Sequence, residues 1–199
     1  MLGNDEIEFK VLLVGDSKVG KTSILLQFTD EIYNDTHLMT IGIDYKIKRI
    51  QMGDFKVRLK IWDSAGQERF QSITKNYYKG ADAVVFVFDI TDQNSFNNLK
   101  KWIKQAEDHV TNKNYKKIIV GNKDDLEFER KVERKDISYF AKKNNIEYIE
   151  TSAKTNHNIT EIFSYLVDNL LKEYKVNLSI EGMKLSDLKD DNDGKSCQC

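Results

Sequence analysis

The sequence predicts an α/β fold: a doubly wound, mostly parallel sheet of six strands, one of them antiparallel, covered by five helices. Three observations carry that prediction. Short apolar runs are separated by stretches of helical periodicity. A glycine-containing turn follows the first run and opens an amphipathic segment. Two alternating runs meet at Met52-Gly53-Asp54, the mark of a hairpin.

Taken in order, Phe9 to Val14 reads as a buried strand that contains Lys10 and ends at Gly15, and the helix after the turn runs through Phe28. From Ile43 the pattern alternates, with Ile43, Tyr45 and Ile47 on one face. Its partner sets Phe55, Val57, Leu59 and Ile61 against Lys56, Arg58 and Lys60, so the two runs pair antiparallel. Ala83 to Phe88, Ile118 to Val120 and Ile146 to Ile149 are the later strands. The clearest helix is the last, with Ile159, Ile162, Phe163, Leu166, Val167, Leu170, Leu171 and Tyr174 on one stripe, and Asn158 with Glu161 as its cap. The order is β-α-β-β-α-β-α-β-α-β-α, and such sheets bind ligands at the carboxyl ends of their strands. Past Val176 apolar residues scatter among Asp, Lys, Ser and Asn. The expectation is a domain over 1–176 and a flexible tail over 177–199.

Composition excludes several classes. With 31 Lys and Arg against 32 Asp and Glu, the net charge of -1 gives no field for gathering nucleic acid. The 2 cysteines, Cys197 and Cys199, are too close together to staple a fold, and a reducing compartment is the natural setting. The longest apolar run, Ala83 to Phe88, is far short of the roughly 20 residues of a membrane helix. The acidic start lacks a signal-peptide core, and Leu2 removes the myristoylation pattern. With 0 prolines, turns depend on Gly, Asn and Asp.

Gly15, Asp16, Ser17, Lys18, Val19, Gly20, Lys21 and Thr22 match the G-x-x-x-x-G-K-[ST] phosphate loop, with the strand before and helix after that the motif requires. The loop N–H groups form an anion nest, Lys21 reaches the β and γ phosphates, and Thr22 offers a hydroxyl to Mg²⁺. Trp62-Asp63-Ser64-Ala65-Gly66-Gln67-Glu68 follows the third strand. Asp63 is placed to hold Mg²⁺ through water, and Gly66 lets an N–H approach a terminal phosphate. Gln67 is the catalytic candidate: its amide can orient a water, which suits a phosphoryl transfer governed by positioning. Asn122-Lys123-Asp124-Asp125 and Ser152-Ala153-Lys154 end two later strands. The Asp125 carboxylate can accept from both N1–H and N2–H₂ of guanine while the Ala153 N–H serves O6. Adenine lacks those donors, so the pair argues for GTP over ATP.

GDSKVGKT, Thr40, WDSAGQE, NKDD and ETSAK resemble, in order and spacing, the small Ras-like GTPases over roughly residues 8 to 175. IGIDY, RLKIW, RFQSIT, YYKGA and FVFDIT are similar to the segments that define Rab proteins. The resemblance implies a switch of vesicle and membrane traffic that binds GTP and GDP with Mg²⁺ and hydrolyses GTP. It implies a nucleotide site that also takes in Ser17, Lys18, Val19, Ser23 and Lys154, with Tyr33 stacked on guanine. Thr40 joins Thr22 and Asp63 at the metal and contacts the γ-phosphate. Ile41, Tyr45, Trp62 and Tyr77 would meet effectors; for Tyr45 and Tyr77 a place in the core is the alternative. Cys197-Gln198-Cys199 resembles the Cys-x-Cys terminus that carries two geranylgeranyl groups. The implied partners are an exchange factor, a GTPase-activating protein, a GDP-dissociation inhibitor, an escort protein with its geranylgeranyl transferase, and effectors. A monomer on the cytoplasmic face of intracellular membranes, with a cytosolic inhibitor-bound pool, is expected. Ser64 stands for the usual Thr and Lys18 for a smaller residue, which is read as solvated. His37, His109 and His157 are read as surface residues.

Two other functions fit a phosphate loop. An ATPase or nucleotide kinase needs neither NKxD nor SAK, and needs a second-substrate lid that has no counterpart here. A nucleotide-locked interaction module with little hydrolysis has no use for Gln67 and Thr40.

Overall fold

The computed structural model describes residues 6–34, 43–64 and 76–190, with side chains over 6–34, 45–63 and 76–176. Its strands are β1 (Ile7–Val14), β2 (Ile43–Met52), β3 (Phe55–Ser64), β4 (Ala83–Asp89), β5 (Lys116–Asn122) and β6 (Glu147–Thr151). They form one 6-stranded sheet in the order β2-β3-β1-β4-β5-β6. Only β2 runs against its neighbour, pairing with β3 from Ile43 opposite Ser64 to Met52 opposite Phe55. The other pairs are parallel. Most strands outrun the apolar runs that announce them, because ladder hydrogen bonds continue through Lys116, Lys117, Gly121 and Asn122, whatever the polarity of the side chains.

The helices are α1 (Lys21–Asp30), α2 (Gln93–Asn97), α3 (Leu99–His109), α4 (Arg134–Asn144) and α5 (Ile159–Asp190), with a 3₁₀ segment at Asp124–Glu129. Three differences from expectation emerge. The single helix expected before β5 is two, divided at Asn98. The helix expected between β3 and β4 falls outside the described residues except for a turn at 76–78. The last helix continues in its backbone past Val176 to Asp190. Its entry also differs: Asn158, expected as a cap, has a left-handed φ of 54° and donates its amide to the Glu150 carbonyl at 2.9 Å.

Alternation along β1 builds two cores. Val11 and Leu13 face α1 and α5, packing with Ile24, Phe28, Ile162, Phe163 and Leu166. Leu12 and Val14 face the other way, toward Leu99, Trp102 and Ile103 of α3 and Ile137 of α4. Such burial on both faces is what a parallel sheet needs. Phe28 and Phe163 stack at 3.8 Å between ring centres, locking α1 to α5. At the edge, Lys46 pairs with Asp30 at 2.6 Å and Lys48 donates to the Thr29 carbonyl at 3.1 Å, so β2 is tied to the end of α1.

Candidate functional site

The carboxyl ends of β1, β3, β4, β5 and β6 lie side by side, and the expected motifs among the described residues leave the sheet there. The turn from β1 to α1 is shaped by two close approaches. Gly20 has a φ of 96°, and a Cβ on it would lie 2.2 Å from the Asn122 amide nitrogen. A Cβ on Gly15 would lie 2.1 Å from the Val87 carbonyl oxygen. Only glycine fits either place. As the N-cap of α1, Gly20 brings no side chain to the first-turn N–H groups, which suits that turn to an anion.

Lys21 is 4% exposed and donates to the carbonyls of Gly15 at 2.9 Å and Asp16 at 2.7 Å. Burial pulls its pKa down to about 8, against the opposing pull of Asp63 and Asp16. Lys18 is exposed in a left-handed conformation, φ 67°, that suits the expectation of a solvated side chain. Thr22 Oγ1 donates to Asp63 Oδ2 at 2.5 Å, bringing a hydroxyl from α1 against a buried carboxylate from the end of β3. Two hard oxygen donors from separate elements fit Mg²⁺.

On the other side of the turn, Asn122 at the end of β5 donates to the Val19 carbonyl at 2.8 Å and accepts from the Ala153 N–H at 3.3 Å. Ser152 Oγ donates to Asp125 Oδ1 at 2.6 Å and itself accepts from the Thr155 N–H at 3.0 Å. Asp125 is thereby held by the loop after β6. Tyr33, Ser23, Gly20, Asn122, Lys123, Asp125, Ala153 and Lys154 all line one cavity of about 210 Å³. Ser17 is exposed. Thr40, Ile41, Gly66, Gln67, His37, Cys197 and Cys199 lie outside the described residues.

Two carboxylates at this end were not singled out from the sequence. Asp89, ending β4, pairs with Lys123 Nζ at 2.5 Å and accepts from the Thr91 N–H at 2.8 Å, fixing the chain where it enters the loop after β5. Asp16 accepts from Asn98 and Trp102, which share one helical face by their spacing of four. Of the three histidines, His157 pairs with Asp124 and His109 tilts against Tyr78 at 6.1 Å, half-buried where a surface place was expected.

Tyr45 and Trp62 face each other across the β2–β3 ladder and stack at 4.8 Å, and Trp62 meets Tyr77 edge-on at 6.4 Å. Tyr45 is 45% exposed, whereas Tyr77 is 4% exposed and its hydroxyl donates to the Trp62 carbonyl at 2.8 Å. Of the two, Tyr77 takes the core place. Lys10 Nζ lies 4.9 Å above the Trp62 ring and donates to the Tyr77 carbonyl at 2.7 Å, while burial lowers its pKa.

The Ras family profile matches residues 10–172, a span that includes every motif placed above. The chain is 43% identical over 171 residues to Ras-related protein Rab-10 of Diplobatis ommata, covering 86% of this chain and 85% of that protein. It is 42% identical over 163 residues to Ras-related protein Rab-13 of Rattus norvegicus, covering 82% and 80%. It is 47% identical over 155 residues to Ras-related protein Rab-1D of Dictyostelium discoideum, covering 78% and 76%. Sheet order, the phosphate-loop motif and the loops after β5 and β6 all agree with that match, and the chain belongs to the Ras family, as a small GTPase of the Rab type.

Proposed function

We propose that the site works as a guanine-nucleotide switch governing membrane traffic, hydrolysing GTP to GDP and phosphate. The observation that carries this reading is the Asn122 hydrogen bond to the Val19 carbonyl, which joins the base-reading loop to the phosphate loop as one surface. Loop N–H groups and Lys21 take the phosphates. Asp125, set by Ser152, reads N1–H and N2–H₂, the Ala153 N–H turns to O6, and Tyr33 stacks on the base. Thr22, Thr40 and Asp63 would hold Mg²⁺, which supplies charge neutralisation at the phosphates. Gln67 orients the attacking water and Gly66 anchors the second switch on the γ-phosphate.

The active form offers Ile41, Tyr45 and Trp62, backed by Tyr77, to effectors. Exchange factors and activating proteins set the rates at which it fills and empties. No helix among the described residues is long and apolar enough to cross a membrane. The tail over 177–199 reaches membranes through geranylgeranyl groups on Cys197 and Cys199, attached with an escort protein and withdrawn by a GDP-dissociation inhibitor. The nucleotide content of freshly purified protein tests the central claim. Bound GDP is expected, and protein that carries unhydrolysed GTP favours the nucleotide-locked alternative.

A further inference from the structure

Asp16 holds two separate parts of the fold at once. Its backbone carbonyl accepts from Lys21 Nζ at 2.7 Å. Its carboxylate oxygens accept from Asn98 Nδ2 at 2.6 Å and Trp102 Nε1 at 2.7 Å. Asn98 is the residue that divides α2 from α3 and serves as the end of one and the start of the other. Trp102 lies one turn further on, 7% exposed and packed in the second core. One side chain of the phosphate loop is therefore fastened to a helix on the opposite face of the sheet from α1.

A carboxylate is an unfavourable neighbour for phosphates, because like charges repel strongly where water is partly excluded. Two N–H donors offset that repulsion only locally, so the placement of Asp16 calls for a positional role. Asn98 and Trp102 supply one. Each occupies one carboxylate oxygen, which fixes the plane of the group and anchors the Asp16 backbone to the start of α3. The Asp16 carbonyl is one of the two that hold Lys21.

We propose that Asp16 is a positioning residue for nucleotide retention: clamped by Asn98 and Trp102, it couples the start of α3 to the phosphate loop and slows nucleotide release. The inference rests on the guanine-nucleotide reading above. It makes α3 a place from which release can be governed.

The test is a double-mutant cycle on GDP dissociation from the full chain, followed by displacement of a fluorescent GDP. Asp16→Ala should speed release about tenfold, equivalent to about 1.4 kcal/mol, and Trp102→Phe, which leaves the Asn98 bond in place, by less. The double variant should be no faster than Asp16→Ala alone, since that change already removes the Trp102 contact. Asp16→Asn, which keeps one acceptor, should fall between. The indole N–H resonance of Trp102 should shift on adding GDP to wild type stripped of nucleotide, and should lose that shift in Asp16→Ala. If Trp102→Phe fails to fold, Asn98→Ala takes its place in the cycle. Additive effects, or variants that release GDP at the wild-type rate, overturn this inference alone. Wild-type protein that binds no guanine nucleotide overturns it together with the reading beneath it.

Discussion

Asn122 and Val19 stand 103 residues apart in sequence, yet the amide of one donates to the carbonyl of the other at 2.8 Å in the buried centre of the site. The same amide oxygen accepts from the Ala153 N–H. The turn after β1 and the loops after β5 and β6 are thus parts of one hydrogen-bonded unit.

Asp125→Asn should weaken GTP binding by several kcal/mol and favour xanthine nucleotides, since a xanthine carbonyl accepts from the new amide where guanine presents only a donor. Ser152 Oγ still finds an oxygen at position 125, so the loop itself should hold. Titration with GTP and XTP checks it, and equal GTP affinity in wild type and variant would refute the assignment.

Gln67→Leu should slow hydrolysis while leaving nucleotide affinity near that of wild type, because only water positioning is lost. Thr22→Asn removes the hydroxyl that meets Asp63 and should favour the GDP or empty form. Single-turnover hydrolysis separates the two: unchanged turnover in Gln67→Leu would count against its role. An activating protein should accelerate wild type by roughly 10³ or more, the range for an inserted arginine in related enzymes.

The buried Lys21 ammonium predicts a pH dependence. Its pKa is pushed down to about 8 from an ordinary 10.5, with burial as the leading cause. Between those values the unfolded chain binds a proton that the folded chain does not, so this group's destabilising effect is full below about 8 and eases as pH rises toward 10.5. Phosphate oxygens favour the charged form. Nucleotide binding should therefore take up most of a proton near pH 9 and almost none near pH 7. Calorimetry in two buffers of different ionisation enthalpy measures this uptake, and equal values at the two pH settings would exclude Lys21 as its source.

Cys199→Ser should leave the nucleotide site intact and loosen the membrane-bound pool, because one lipid chain gives only marginal, reversible binding. The charges over 177–199 are 3 Lys against 5 Asp and Glu, giving -2, so no basic patch can compensate. Mass spectrometry of the terminal peptide and fractionation of the variant decide it. An unmodified wild-type tail, or a variant held as firmly as wild type, would dismiss the two-lipid account.

Much of the fold was legible because its signals are local. Alternation at Phe55, Val57, Leu59 and Ile61 announces a half-buried strand, and the stripe from Ile159 to Leu171 announces a helix, with no knowledge of partners. The phosphate loop was legible because close packing restricts residue type there: a Cβ on Gly15 would meet the Val87 carbonyl, and one on Gly20 the Asn122 amide. What escaped depends on distant contacts. The break at Asn98 coincides with a side chain that donates to Asp16, 82 residues earlier, a contact that no periodicity records. Asp89 closes an apolar run and resembles any strand end until Lys123 is placed beside it. Tyr77 could be assigned to surface or core only once Leu13 and Trp62 offered their carbonyls to its hydroxyl.

The tie between Asp30 and Lys46 has an entropic consequence. It joins residues 16 apart and encloses the segment that carries Thr40. Bringing the ends of such a stretch together costs on the order of 2.5 kcal/mol in chain freedom, before any constant for stiffness. Folding of the hairpin and α1 has already met that cost, since β2 is held by its whole ladder with β3. Thr40 is thus carried between two ends that the fold itself holds together.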